Sequence, residues 1–495
     1  MKRLFRNARW WRDGEPFTLS VVGGRVSRWP LSEAQADEVV DCHGSWLMPA
    51  FVDCHCHILP AGLDMKRPDL SNCNTREEVL RVVQDAAAEG EGWLLAVQYD
   101  QTRFNDGLHL TAHELDAVTA GRPTILRHSS GHAAVANSAA LREAGVGANT
   151  PDPPGGTIVR GERGVPLGAL LEGAMELVYR VVPPPTRQES VDAIHAVAKS
   201  MRSMGITCAT DMATGSRGLS EEFEAYRRAS ESGCAVRLRT FILWGRIFGK
   251  RGEPDFHLEQ TPMLRNLGVK LFADGAIGAG TAAMTEEYAT GGVGMLIYEP
   301  DDLRERVRVA HEAGHVVAIH SIGDRCTDVV LDAIEETGDA ARHRVEHVML
   351  LRDDQVERIR RLGARVTLQP EFLLTFGHAY FRQLGEQRAS MLKRARSLAD
   401  AGITIGLSSD RPIVPGDPWD GIRSAVSRPP GFHPSEAITV EEAIDGYTVC
   451  AAGVNDETEL GSLSAGEWAD FQLYERDPKG LDAQPVVTFL AGEAP

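Results

Sequence analysis

From Phe17 to Leu31 the chain reads FTLSVVGGRVSRWPL, apolar and polar positions alternating on both sides of Gly23-Gly24. That period of two predicts two strands joined by a tight turn. The stretches GSLSAGEWADFQLYERDPKG and PVVTFLAGE near the other end have the same character. Between them the period lengthens. TREEVLRVVQDAAAEG, RQESVDAIHAVAKSMRSMG, DDLRERVRVAHEAG and RDDQVERIRRLG space their apolar residues as amphipathic helices do, and each is followed by a short apolar run. Helices alternating with such runs predict parallel β/α units. The two β-rich ends predict one small sheet domain built from both termini, which commonly lie close together.

Ten runs qualify as strands of the middle region: FVDCHCH, WLLAVQY, PTILRH, ITCATDM, VRLRTFILW, VKLFADG, VVAIHSIGD, HRVEHV, ARVTLQP and ITIGLSSD. An eight-stranded α/β barrel needs two fewer. At 495 residues the chain has room for such a barrel and a second domain. Its 43% hydrophobic and 25% charged residues are those of a soluble globular protein. A net charge of −18 leaves no basic surface for nucleic acid or an anionic membrane. The basic start, MKRLFRNARWWRDGEPF, lacks the apolar run of a secretory signal, and no run is long enough to span a membrane. The eight cysteines form no CxxC pair, so reduced, buried thiols in the cytoplasm are expected.

FVDCHCHI, residues 51–58, places four good metal-ligating side chains side by side. Strand alternation divides them: Asp53, His55 and His57 share one face, Cys54 and Cys56 the other. The histidines then grip a metal together while the cysteines pack as small hydrophobes. A lone His-x-His also occurs by chance or on exposed strands. Further polar residues end other apolar runs: His320 with Asp324 in the following loop, His347, and Asp410 just before a proline. Singly, such a histidine is more often a hydrogen-bonded structural residue and such an aspartate more often a helix cap. Together they mark the strand ends that form the catalytic face of a barrel. Lys270, inside VKLFADG, is costly in a barrel interior unless paired or neutralised. A salt bridge to Asp274 or another carboxylate and carbamylation by carbon dioxide are the two readings.

MPAFVDCHCH, VKLFADGAIGAGTAAM, IHSIGDR, VEHVML, GLSSDRP and GSLSAGEWADF together resemble the amidohydrolase superfamily, and more narrowly the amidohydrolase-3 group with its N-substituted formamide deformylases. The resemblance implies a (β/α)8 TIM barrel over residues 51–440 and a composite β-sandwich from residues 1–50 and 441–495. It implies metal ligands His55, His57, Lys270, His320, His347 and Asp410, holding one or two ions, zinc by default with iron or manganese suited to the same donors. A carbamate on Lys270 would bridge a pair. With Lys270 on the fourth strand, VRLRTFILW becomes the third and ITCATDM the second, so WLLAVQY and PTILRH fall in an insertion at about residues 65–195.

The insertion carries LRHSSGHAAVANSAAL, which makes His132 and Asn137, with Glu172, candidates for substrate contact; Asp324 is a fourth. Asn137 reads equally as a helix cap. The implied reaction is hydrolysis of a non-peptide C–N bond, an amide or formamide, by a metal-activated hydroxide. Asp410 would move the proton, and His320 or His347 would assist the developing oxyanion. A deaminase of the same fold would favour a glutamate in an HxxE arrangement after the fifth strand, where this chain reads HSIGD. A non-catalytic scaffold would be expected to have lost a ligand. A small-molecule substrate is the expected partner, without nucleic acid or membrane; a homodimer is left open.

Overall fold

A computed structural model of the protein describes residues 1–129, 131, 133–153, 156–216, 218–244, 258 and 260–495. The chain divides into two compact units, Met1–Ala61 with Ser190–Pro495, and Gly62–Glu189.

The larger unit is built on eight parallel strands, here β1 (Phe51–Cys56), β2 (Ile206–Thr214), β3 (Arg237–Leu243), β4 (Leu264–Phe272), β5 (Val316–Ser321), β6 (Arg344–His347), β7 (Arg365–Leu368) and β8 (Ile405–Leu407). They neighbour one another in chain order. The seam between β8 and β1 is stitched just past the strands: Asp410 N donates to His55 O at 2.7 Å, and His57 N to Arg411 O at 2.7 Å. Every residue of β1 is buried, as both faces of a barrel strand must be. The outward face of β1 carries Val52 and Cys54, which pack with Cys208, Ala451, Ala452 and Leu460. Cys54 thus acts as a small hydrophobe, and Cys56 is buried with its Sγ donating to Thr210 O at 3.3 Å. All eight cysteines are free thiols.

The two chain ends meet in a seven-stranded sheet ordered Val487–Phe489, Phe471–Tyr474, Trp46–Pro49, Lys2–Trp10, Pro16–Val22, Arg25–Val26, with Glu38–Asp41 also paired to Lys2–Trp10. The turn at Gly23 (φ 60°) and Gly24 (φ 80°) needs left-handed backbone at both positions, which glycine supplies without steric cost. Phe5, Phe471 and Phe489 interlock at centroid separations of 4.5 to 5.1 Å. After Pro49 the chain rejoins this sheet near its far end, first at the Arg25–Trp468 bridge and then at Phe471. Residues 440–454 instead form two helices, Val440–Tyr447 and Val449–Val454, whose apolar sides pack on β8 and β1. A buried ion pair, Arg237 to Asp470 at 3.0 and 3.1 Å, ties β3 to the segment entering the sheet, and Arg239 pairs with Glu457 in the connection after the helices.

The second unit holds a five-stranded sheet ordered Gly156–Arg160, Pro166–Glu172, Ala133–Ala136, Thr124–His128, Leu94–Tyr99. The two surplus strands of the sequence are therefore paired here, outside the barrel. Helix Arg76–Ala88 starts in a capping box between Thr75 and Glu78. Its Val79 and Val83 enter a core with Leu94, Leu115 and Leu126. Among the described residues, no helix is long and apolar enough to cross a membrane.

Candidate metal centre at the barrel's strand ends

His55 is the penultimate residue of β1 and His57 follows the strand; Lys270 lies on β4, His320 on β5, His347 at the end of β6, and Asp410 three residues beyond β8. Parallel strands of one barrel present their carboxyl ends on one side, so the fold gathers these residues. The His55 and His347 rings lie 4.6 Å apart between centroids, and His320 and His347 4.7 Å. Asp410 Oδ1 is 3.1 Å from His57 Nε2 and 3.5 Å from His55 Nε2. One potential ligand atom from each of His55, His347 and Asp410 lies within 4.8 Å of the others.

Hydrogen bonds on the far side of each ring set which nitrogen faces inward. His55 Nδ1 meets Glu346 Oε2 at 2.6 Å, and a carboxylate there requires a proton on Nδ1. Glu346 is itself held by Arg344 at 2.8 and 3.2 Å and by Thr367 Oγ1 at 2.6 Å. Burial pushes the Glu346 carboxyl up, but Arg344 and Lys270 outweigh it and hold it below the ordinary range. His347 Nδ1 meets Gln369 Oε1 at 2.8 Å, and His320 Nε2 meets Gly275 O at 3.0 Å. Burial holds His55 and His347 well below the usual histidine range, and Lys270 and the neighbouring rings push the same way. Neutral imidazoles are what a cation needs.

Lys270 is fully buried, with Nζ 4.9 Å from the centre of the Phe272 ring and no hydrogen-bond partner among the described residues. Burial lowers its amine to about 8, against the opposing pull of Glu346 and Asp410. His55 Nε2 is likewise buried without a hydrogen bond. Three imidazoles on three strands, a fourth beside Asp410, and two buried nitrogens without hydrogen-bond partners suit a divalent cation.

Two aspartates brace the surrounding loops. Asp53 accepts from Ser409 N (3.1 Å), Ser409 Oγ (2.5 Å) and His55 N (3.3 Å), and burial raises it to about 6. Asp274 accepts from Ile322 N, Gly323 N and Ala283 N, all near 3.0 Å, and burial raises it to about 7. Asp274 is 3.4 Å from His320 Nε2 and, among the described residues, makes no bond to Lys270. Asp410 (φ 60°) and His347 (φ 74°) sit in left-handed backbone, a strained conformation common at functional sites.

Of the substrate-contact candidates, His132 lies outside the described residues. Asn137 is buried in the second unit, where its oxygen accepts from Thr124 N and Ala140 N and its amide donates to Thr119 Oγ1 and Arg122 O. It is the cap of helix Ser138–Glu143. Glu172 ends a strand of that unit with φ 49°. Asp324, in the larger unit, opens helix Asp324–Glu335 and accepts from Thr285 N at 2.9 Å. Glu346, Gln369 and Lys393 were not singled out from sequence. The signal was there for the first two: a charge or an amide within the apolar runs HRVEHV and ARVTLQP.

Residues 38–493 match the model of a family described as the amidohydrolase family. YtcJ of Bacillus subtilis is 32% identical over 464 residues, covering 90% of this chain and 87% of its own. The N-substituted formamide deformylase of Arthrobacter pascens is 28% identical over 470 residues, covering 89% and 85%. The crystal structure of an uncharacterized metal-dependent hydrolase from Pyrococcus horikoshii superposes with a TM-score of 0.82 at 26% identity, covering 97% of this chain and 98% of that one.

Proposed function

This chain belongs to the amidohydrolase family, and from that premise we propose that it is a metal-dependent hydrolase of a non-peptide C–N bond, an amide or N-substituted formamide. His55, His57, Lys270, His320, His347 and Asp410 would hold one or two divalent cations, with zinc the metal best matched to nitrogen-rich donors. The observation that carries the reading is the meeting of neutral, buried imidazoles with Asp410 at the ends of β1, β6 and β8. The substrate class is supported by the deformylase relative. The eight free cysteines support a reducing, cytoplasmic location.

When bound, the cation lowers the pKa of its water toward about 7 and polarises a carbonyl oxygen. The chain's own residues do the rest. Asp410 Oδ1, facing His57 and His55, accepts the proton of the attacking water and returns it to the leaving nitrogen. The water oxygen bonds to the carbonyl carbon, the C–N bond breaks, and a formamide yields formate and an amine. Glu346, through His55 Nδ1, keeps the Nε2 lone pair of His55 turned inward. The buried Lys270 amine fits reaction with carbon dioxide, which forms an N–C bond, releases a proton and leaves an anionic carbamate.

The test is formate release from a panel of N-substituted formamides, and acid release from simple amides, by zinc-loaded protein. Zinc-loaded protein that hydrolyses none of them overturns the proposed substrate class.

A further inference from the structure

Lys393 is a second buried lysine near the centre, and its surroundings differ from those of Lys270. It lies beyond helix Glu371–Ser390 with φ 55° and 1% exposure. Its Nζ donates to His347 O at 3.0 Å and to Gln369 Oε1 at 2.8 Å. The same Gln369 oxygen meets His347 Nδ1 at 2.8 Å, and Gln369 Nε2 donates to Ser408 Oγ at 3.0 Å. We propose that Lys393 is a positioning residue for His347, fixing both the backbone of that ligand and the ring nitrogen it turns toward the metal. The inference rests on the metal-site reading above.

The donors and acceptors around His347 select one ring tautomer. A glutamine amide can present either its oxygen or its NH2 to an imidazole, and each choice selects the opposite tautomer. Turning the NH2 toward His347 would also set it against the N–H donors of Lys393. With Lys393 in place the oxygen faces inward and accepts twice, so His347 Nδ1 carries the proton. The Nε2 lone pair is then free for a cation. In either protonation state the lysine nitrogen keeps two donors, so the clamp does not depend on its charge.

His347 (φ 74°) and Val348 (φ 34°) are in left-handed backbone, unfavourable above all for β-branched valine. Such geometry persists only where its surroundings hold it. Lys393 Nζ holds the His347 carbonyl, and Lys393 is held in turn. Its N–H donates to Met349 O at 2.9 Å, and its carbonyl accepts from Arg428 Nη1 at 2.9 Å. A methionine would fill the same space without burying a polar nitrogen, so packing alone does not account for a lysine here.

The experiment uses Lys393→Met in the full chain with Zn2+ alone as the probe. Zinc affinity is read by competition with a chromophoric chelator, and the His347 tautomer by 15N imidazole shifts of metal-free protein. The expected result is a loss of about 10- to 100-fold in affinity, with His347 moving from the Nδ1–H form to a tautomer mixture. Adding Gln369→Glu should restore both, because a carboxylate accepts from Nδ1 without needing to be oriented. Wild-type affinity and tautomer in Lys393→Met overturn the proposal, as does an affinity loss with an unchanged tautomer and no rescue. Should Lys393→Met not fold, Gln369→Leu must give the same tautomer mixture, and a wild-type tautomer there overturns the proposal. Wild-type protein that takes up no zinc refutes the metal-site reading, while the tautomer shifts still decide the clamp.

Discussion

The Asp410 amide donates to the His55 carbonyl at 2.7 Å, across the seam where the last barrel strand meets the first. The same two residues bring a carboxylate oxygen to 3.5 Å from an imidazole nitrogen. Barrel closure and assembly of the site are therefore coupled, since the bond that completes one also sets the other.

Asp410→Asn keeps the backbone bond and changes only the side chain. Turnover of the zinc-loaded enzyme should fall on the order of 10²- to 10⁴-fold, the usual worth of a positioned proton carrier. Metal content by elemental analysis should stay close to wild type. Near-normal turnover would remove Asp410 from the proton path.

Lys270→Met replaces a buried amine that has no hydrogen-bond partner among the described residues by an apolar chain of similar length. Metal-free protein should be at least as heat-stable as wild type, because the desolvation of the amine is relieved. Wild-type protein incubated with 13C-bicarbonate and zinc should show a carbamate carbon resonance that the variant lacks. Identical spectra would mean that Lys270 is not carbamylated.

Glu346 is fully buried between Arg344 and His55. Glu346→Gln leaves the Arg344 charge uncompensated, and breaking a buried pair in this way costs about 3–5 kcal/mol. A marked fall in melting temperature should accompany weaker zinc binding. A variant as stable as wild type would show that the network does not support the barrel.

Glu371 gives a pH signature away from the ligands. Burial, with Asp420 adding to it, raises its carboxyl from 4.5 to about 8, while its Oε2 accepts from Gly416 N at 3.2 Å. A raised carboxyl means the folded state binds the extra proton, so its contribution is complete below about 4.5 and is lost as pH rises through about 8. Within that window this group changes stability by about 1.4 kcal/mol per pH unit. Denaturant melts of metal-free protein from pH 5 to pH 9 should show the decline, and Glu371→Gln should flatten it. Parallel profiles would disprove the assignment.

Much of the centre was legible before folding. Strand alternation put Asp53, His55 and His57 on one face, and it separated them from Cys54 and Cys56; the structure packs Cys54 outward and buries Cys56 beside Thr210. Lys270, His320, His347 and Asp410 stood out because a polar residue within or ending an apolar run is expensive without a purpose. Leu94–Tyr99 and Thr124–His128 read as strands as plainly as any barrel strand did. Period two tells that a segment is extended, but not which neighbours its backbone will pair with, so their place in a separate sheet was settled by pairing.

Asn137 shows the same limit for a side chain. Its position ahead of an apolar helix fitted a cap or a substrate contact; its oxygen caps the helix through Ala140 N, and three further hydrogen bonds tie it to Thr124, Thr119 and Arg122. Glu346, Gln369 and Lys393 mark the boundary most clearly. The sequence alone determined the strands, the inward face and the residue types able to bind a metal, because those follow from local periodicity and the cost of burying polar groups. The tertiary structure decided which nitrogen each histidine turns inward. That choice belongs to hydrogen bonds between residues distant in the chain, from Glu346 to His55 across 291 positions and from Lys393 to Gln369 across 24. Such bonds exist only once the barrel has closed.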